Sequence, residues 1–386
     1  MKNVPNLRFK EFSGEWKNQK LGKLTKLTDG VHFTPTYVES GVPFWSVETV
    51  VSNVKPKYIT QEAHNEAIKR CYPQYGDILL TRIGTLAIPK LVDWNEPFSI
   101  YVSLALIKSS SKFNSKFCKY YLETEYYRKD FLSKSLLTAT PQKINMEDLK
   151  HTKLSLPSQK EQEKIASFFS LIDKKIELQT EKVEELKNYK KGLMQKIFSQ
   201  ELRFKGFSGE WESKKIGSIC EIIMGQSPSS ACYNEDKIGL PLIQGNADIK
   251  NRKTFPRVYT SDITKTCDVG DIIMSVRAPV GAISRSLHHA CIGRGVCSIK
   301  PKQNSEFIYQ FLLNYENKWS RISQGSTFES INSFDITSTN IVLPLKEEQE
   351  KIASFFSLID KKLELEMEKL EQLQEYKKGL LQQMFI

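Results

Sequence analysis

From Pro157 onward, apolar residues recur at alternating steps of four and three: Ile165, Phe169, Ile172, Ile176, Val183, Leu186, Leu193 and Ile197, interrupted only by Gln179 and Lys190. From Pro344 the same count gives Ile352, Phe356, Ile359, Leu363, Leu370, Leu373, Leu380 and Met384, interrupted at the same steps by Glu366 and Lys377. A period of 3.5 residues is that of a coiled-coil seam, and a proline ahead of each run marks a helix start. The pattern predicts two long helices, within residues 157–200 and 344–386, each about 60 Å long. Agreement in phase, polar steps included, favours the two seams burying one another over an ordinary amphipathic hairpin.

Upstream of each helix the pattern changes. Short apolar or β-branched runs such as DILLT, YVSLALIK and DIIMSV alternate with Gly, Pro, Asn and Ser clusters, which predicts strands and turns. FCKYYLETEYYRKDFL and EFIYQFLLNYENKW read as helices. Each upstream region is therefore expected to be a compact α+β domain.

The chain is also an internal repeat. EQEKIASFFSLIDKK at Glu161–Lys175 returns unchanged at Glu348–Lys362, and LRFKEFSGEW at Leu7–Trp16 returns as LRFKGFSGEW at Leu202–Trp211. Between these anchors the regions share only landmarks: GVPFWSVETV beside GLPLIQGNADI, GDILLTR beside GDIIMSVR, PQKIN with LSLP beside FESIN with IVLP. The layout expected is an opening segment (1–16), a variable domain (17–156) and a spacer helix (157–200), then the same again (201–211, 212–343, 344–386). Phe168 and Leu171 widen the apolar face of the first repeat beyond the seam, an edge suited to the neighbouring domain or to another protein.

Composition narrows the class. With 386 residues and 40% apolar content the chain can fill two or three cores. There is no apolar run long enough to span a bilayer, and MKNVPNLRFKEFSGEW lacks the apolar stretch of a secretory leader, so a cytoplasmic protein is expected. Seven cysteines without a C-x-x-C pair read as reduced thiols. A net charge of +11 favours a polyanionic partner. The first variable region is the more basic, +7 over Lys17–Ser158 against +3 over Glu212–Val342, so its binding should depend more on salt. Catalytic motifs are absent: no phosphate-binding loop, no H-E-x-x-H, no G-x-S-x-G, and no Pro-Pro dipeptide of the kind an amino methyltransferase uses to hold its target base. His64 near Cys71, and His288 and His289 near Cys291, lack an orienting third group for a thiol nucleophile.

The paired segments LPSQKEQEKIASFFSLIDKKIE and LPLKEEQEKIASFFSLIDKKLE, the repeated RFKEFSGEW and RFKGFSGEW, and the GDILLTRIGT and GDIIMSVRAPVG landmarks together make the whole chain resemble the specificity (S) subunit of type I restriction-modification enzymes. That resemblance implies an α+β fold with two target-recognition domains in pseudo-twofold repeat, separated by two long helices packed as a coiled coil. Each domain would read one half of a split double-stranded DNA target, with the helices setting the unread gap. It implies no catalysis and no cofactor in this chain. Two modification subunits would methylate adenine N6 with S-adenosylmethionine, and restriction subunits would cleave DNA using ATP. A coiled-coil DNA-binding regulator or architectural protein without a methyltransferase partner is the alternative.

Base and phosphate contacts need Arg, Lys, amide, hydroxyl and carboxylate side chains on loops. In the first domain these are Thr34, Tyr37, Ser46, Glu48, Thr49, Arg82, Lys90, Thr140, Gln142 and Lys143; in the second, Gln226, Ser227, Gln244, Asn246, Arg252, Arg277, Arg294, Ser326 and Thr327. Arg82 lies six residues after Gly76 but Arg277 lies seven after Gly270, so along an extended strand the two should face opposite ways. Candidates for helix pairing or partner contact are Ile165, Phe168, Phe169, Ile172, Ile176, Leu186, Ile352, Phe355, Phe356, Ile359, Leu363 and Leu373.

Overall fold

A computed structural model describes residues 3–52, 54–323 and 330–386. The chain divides into two units, Met1–Thr180 with Glu368–Ile386, and Glu181–Met367. Two helices supply both: Gln159–Phe198, 40 residues, and Lys346–Met384, 39 residues. Among the described residues no helix is long and apolar enough to cross a membrane.

In the first unit, strand Lys17–Lys20 pairs antiparallel with Lys153–Leu156 and so brings the two ends of the variable region together. Between them lie two four-stranded sheets. One is antiparallel, in the order 27–29, 104–107, 78–81, 89–91; the other runs 37–38, 57–59, 42–45, 99–100, with its last pair parallel. The second unit repeats this frame. Glu212–Lys215 pairs with Asn340–Leu343, and the GLPLIQ landmark forms strand Leu240–Ile243, parallel to Ala290–Ile292 as Val42–Trp45 is to Ser99–Ile100. Its sheets are larger, with six and five strands.

The Gly-Asp landmarks are turns that launch a strand. Gly76 and Gly270 have φ of +85° and +90°, which glycine adopts without strain. Asp77 and Asp271 each close the turn by accepting an N–H three residues back, from Gln74 and Asp268, at 2.8 Å. The stretch FCKYYLETEYYRKDFL is two helices, Ser115–Leu122 and Glu125–Ser133, because Thr124 leaves helical backbone and its Oγ1 caps the second at Tyr127 N–H. EFIYQFLLNYENKW lies in one helix, Ser305–Ser323.

Within each unit the start of one long helix packs antiparallel on the end of the other. In the first, Phe169 meets Phe385 with ring centroids 5.7 Å apart, and Ile165 and Ile172 share a core with Leu380, Leu381 and Met384. In the second, Phe356 stacks on Phe198 at 6.3 Å, and Ile352 joins Met194 and Ile197. Ile176, Leu186, Ile359, Leu363 and Leu373 are half-buried along the same faces. The polar steps have a physical cause. Lys377 reaches Asp173 at 2.8 Å and Lys190 reaches Asp360 at 2.6 Å, so each seam lysine is met by the aspartate of the other helix's repeated SLID. Burial pushes the Lys190 ammonium below its ordinary value, with Asp360 only partly offsetting it. At Lys377 burial is outweighed by Glu123 and Asp173, and the value rises.

The repeated opening segment is held by the repeated helix start. Glu161, 1% exposed, takes a two-pronged contact from Arg8, with Nε and Nη2 donating at 2.7 and 2.8 Å. Glu348, 2% exposed, takes the same from Arg203 at 3.0 and 2.6 Å. Gln162 and Gln349 each donate back to the proline carbonyl that precedes the helix, Pro157 and Pro344. Phe168 and Phe355, on the apolar edge beside the seam, pack edge-on against Phe9 and Phe204 of the opening segments, at 5.7 and 5.4 Å. An a/d position faces the partner helix, whereas these lie one step round from the seam.

Candidate nucleic-acid interface

In the first unit several loops converge on Arg82, which follows strand Ile78–Thr81. Arg82 is 7% exposed. Its Nη1 donates to Val102 O at 2.9 Å and to Asp29 Oδ2 at 3.3 Å, and its Nε donates to Ile144 O at 3.2 Å. Its backbone N–H bonds Ser103 O, and its carbonyl accepts from Ile144 N–H. Arg82 therefore does not face solvent as a DNA contact; it ties together three loops, around residues 29–34, 101–103 and 136–144. Burial alone would raise the Asp29 carboxyl, but Arg70 at 2.6 Å and His32 at 2.8 Å outweigh it and hold the group below its ordinary value. Arg70 and His32 are half exposed or more beside these loops, and the sequence reading missed them: Arg70 ends helix Gln61–Arg70, far along the chain from its partner.

Thr49 is the second correction. It is buried, and its Oγ1 accepts Ser46 N–H at 3.3 Å as the short helix Val47–Ser52 begins. Glu48 stays exposed and Ser46 half-buried. Thr140, Gln142 and Lys143 lie on a loop closed by Leu136 N–H bonding Lys143 O at 2.7 Å, and Gly84 N–H bonding Gln142 O sets this loop against the one after Arg82. Thr34 is exposed on the 29–34 loop. Tyr37 and Lys90 are placed by strands instead: Tyr37 beneath the Lys57 ammonium, 4.4 Å from its ring centroid, and Lys90 on the edge strand opposite Leu79.

The second unit brings its candidates closer together. Ser227, Gln244, Asn246, Arg277 and Arg294 line one open cleft of about 270 Å³. Gln226 is exposed next to it, its N–H bonded to Ile292 O. Arg252 is not in the cleft. Its guanidinium, half exposed, donates to Ile283 O at 3.0 Å and to Glu316 on helix Ser305–Ser323, with Nη2 to Oε2 at 2.9 Å. Ser326 and Thr327 lie outside the described residues.

The frame also explains why the two landmark arginines differ. Val276 N–H bonds Gly295 O, and Ile331 N–H bonds Val276 O, the pair of bonds that Arg82 makes with Ser103 and Ile144. Val276, 3% exposed, thus occupies the place of Arg82, and exposed Arg277 that of Ile83. One residue of offset reverses the side chain's direction.

No thiol site emerges from the histidine and cysteine pairs. His64 Nδ1 is engaged by Ser99 Oγ at 2.8 Å, and burial pushes the Cys71 thiol up to about 11. His288 bonds Thr254, His289 bonds Asp268, and Cys291 is buried.

The sequence profile of the type I restriction modification DNA specificity domain matches residues 14–188 and again 208–375. The chain belongs to the type I restriction-modification specificity-subunit family. It is 29% identical over 403 residues to a Methanocaldococcus jannaschii protein provisionally described as the MjaX specificity subunit of a type I restriction enzyme, covering 98% of this chain and 95% of that one. The MjaIX specificity subunit of the same organism is 28% identical over 191 residues, 46% of this chain and 44% of its own. Among solved structures, the type I restriction-modification S subunit from M. genitalium superposes with a TM-score of 0.63 at 17% identity, covering 99% of each chain. A chain from a study of complex assembly in the type I R-M system gives 0.58 at 21% identity, covering 96% of this chain and 97% of its own. This specificity subunit therefore has the expected α+β fold with two recognition domains and two long packed helices. Its place is in DNA recognition within a restriction-modification system.

Proposed function

We propose that this subunit is the non-catalytic reader of a bipartite DNA target. Each recognition domain takes one half-site through its loop cluster, and the continuous helices, about 60 Å each, set the unread gap. One observation carries the reading: a single backbone frame is used twice with different loop side chains, Arg82 and Ile83 in one unit standing where Val276 and Arg277 stand in the other. Two surfaces that differ on one frame suit two different sequences.

The scaffold supports the second half of the proposal. Internal contacts account for the buried part of EQEKIASFFSLIDKK, but not for its exposed part. Leu171 and Leu358 are 66% and 70% exposed, and one heptad on, Leu178 and Leu365 are 52% and 58% exposed. The same apolar stripe offered twice suits two copies of one partner. We assign these stripes to two modification subunits, which would bring S-adenosylmethionine and methylate adenine; restriction subunits would bring ATP-driven cleavage.

The test is to exchange residues 17–156 for the corresponding region of another specificity subunit and map methylated adenines in cells. One half-site should change while the other and the gap stay. A change in both half-sites refutes the modular reading. Purification without a methyltransferase chain would favour a DNA-binding regulator instead.

A further inference from the structure

The cleft of the second unit presents two arginines in different states of readiness. Arg277 is exposed, and its guanidinium has no hydrogen-bond or ion-pair partner among the described residues. Arg294 is partly anchored: its backbone N–H and its Nε both donate to Ser227 Oγ at 3.2 Å, which leaves the terminal Nη1 and Nη2 free to form a fork. Between them, the loop bearing Gln244 and Asn246 is pinned by buried Asp248, which accepts Gln244 N–H at 2.8 Å. Asp248 carries a negative charge next to the cleft, but Arg257 neutralises it at 3.0 Å. What remains facing outward is two cations and two side-chain amides on fixed backbone.

That set matches a base edge better than a phosphate. An arginine fork fits O6 and N7 of guanine in the major groove, and a side-chain amide fits N6 and N7 of adenine; phosphates need charge but not a cleft lined with amides. We propose, building on the reading of this chain as a specificity subunit, that Arg277 and Arg294 read guanine in the second half-site, with Gln244 and Asn246 facing an adjoining base. The first unit lacks this device. Arg277 corresponds to Ile83, and since Gly295 corresponds to Ser103, Arg294 corresponds to Val102; neither Ile83 nor Val102 has a side-chain donor. Guanine reading by paired arginines at this place is thus particular to the second domain.

The experiment uses the assembled complex with Arg277→Ala and Arg294→Ala, each alone. Both side chains are exposed, so the fold should tolerate the changes. Methylated-base mapping in cells should show a fixed guanine in the second half-site of the parent, and other bases admitted there in each variant, with the first half-site and the gap unchanged. In binding assays, discrimination at that base pair should fall by roughly 5- to 150-fold. Substituting 7-deazaguanine, which lacks the N7 acceptor, should weaken binding by the parent and weaken it less in each variant. A uniform loss on all sequences, with the salt slope reduced by about one, makes the arginines phosphate anchors and overturns the proposal. So does a second half-site without a fixed guanine, or a chain-dependent motif whose guanine survives in either variant. If instead the methylated motif persists when the chain is deleted, the specificity-subunit reading itself fails.

Discussion

Replacing Arg8 by alanine removes the guanidinium that closes the first opening segment on itself and on the helix behind it. Two of its bonds go to Glu161, whose side chain is 1% exposed, and two go to the carbonyls of Gly14 and Ser13, at 2.6 and 3.1 Å. The carbonyls can turn to water, but the carboxylate cannot easily do so. Breaking a buried ion pair from one side costs about 3–5 kcal/mol, chiefly because the abandoned charge stays buried. Arg8 is itself 13% exposed, so some water can follow, and the lower end, about 3 kcal/mol, is expected. For a unit of about 200 residues that is a fall in Tm of roughly 6–12 °C.

Scanning calorimetry of the purified chain measures it, and a cycle with Glu161→Gln isolates the pair. Removing the charge as well should recover about 1–2 kcal/mol, so the double variant is less damaged than the sum of the singles. Arg203→Ala should act likewise in the second unit through Glu348. A shift below about 1 °C for Arg8→Ala, or strict additivity in the cycle, would refute the argument that this contact explains why both opening segments keep their arginine.

Arg82→Met should cut the ties among the first unit's loops, lowering stability by about 1.5–3 kcal/mol per charged hydrogen bond lost and blurring the first half-site only; base mapping that shows the second half-site blurred would contradict it. Burial alone would raise the Asp173 carboxyl, but Lys119 and Lys377 hold it below its ordinary value. A depressed carboxylate gives stability that is present above its unfolded pKa and lost as pH falls through the folded one, so the Tm deficit of Asp173→Asn should be full above about pH 5 and fade in stronger acid. Leu171→Glu with Leu358→Glu should abolish copurification of a methyltransferase chain while moving Tm by little; retained copurification would count against the stripe. Inserting one heptad into both helices should lengthen the gap between half-sites and keep their letters, as read from methylated motifs.

Much of the scaffold was legible from local pattern. The 3.5-residue seam, the prolines ahead of it and the duplicate phrases are short-range signals, and Ile165, Phe169, Ile352 and Phe356 are buried where the period put them. Even the opposed directions of Arg82 and Arg277 followed from counting residues along a strand. Two of the DNA-contact readings did not hold, at Arg82 and Thr49, whose side chains are buried onto partners inside the domain. A polar residue on a loop has the same appearance in sequence whether it meets solvent or a partner within the protein. The partners here are Asp29, Val102 and Ile144 for Arg82, and the Ser46 N–H for Thr49.

The sequence by itself determined which segments must be alike, because periodicity and repetition are carried by neighbouring residues. Only the tertiary structure decided that the helices run antiparallel within each unit, since a seam of apolar steps has no direction until Lys190 finds Asp360 and Lys377 finds Asp173. It also decided which loop side chains are left facing outward. A hydrogen bond between distant loops depends on where the backbone brings them, and no local pattern of residues encodes that.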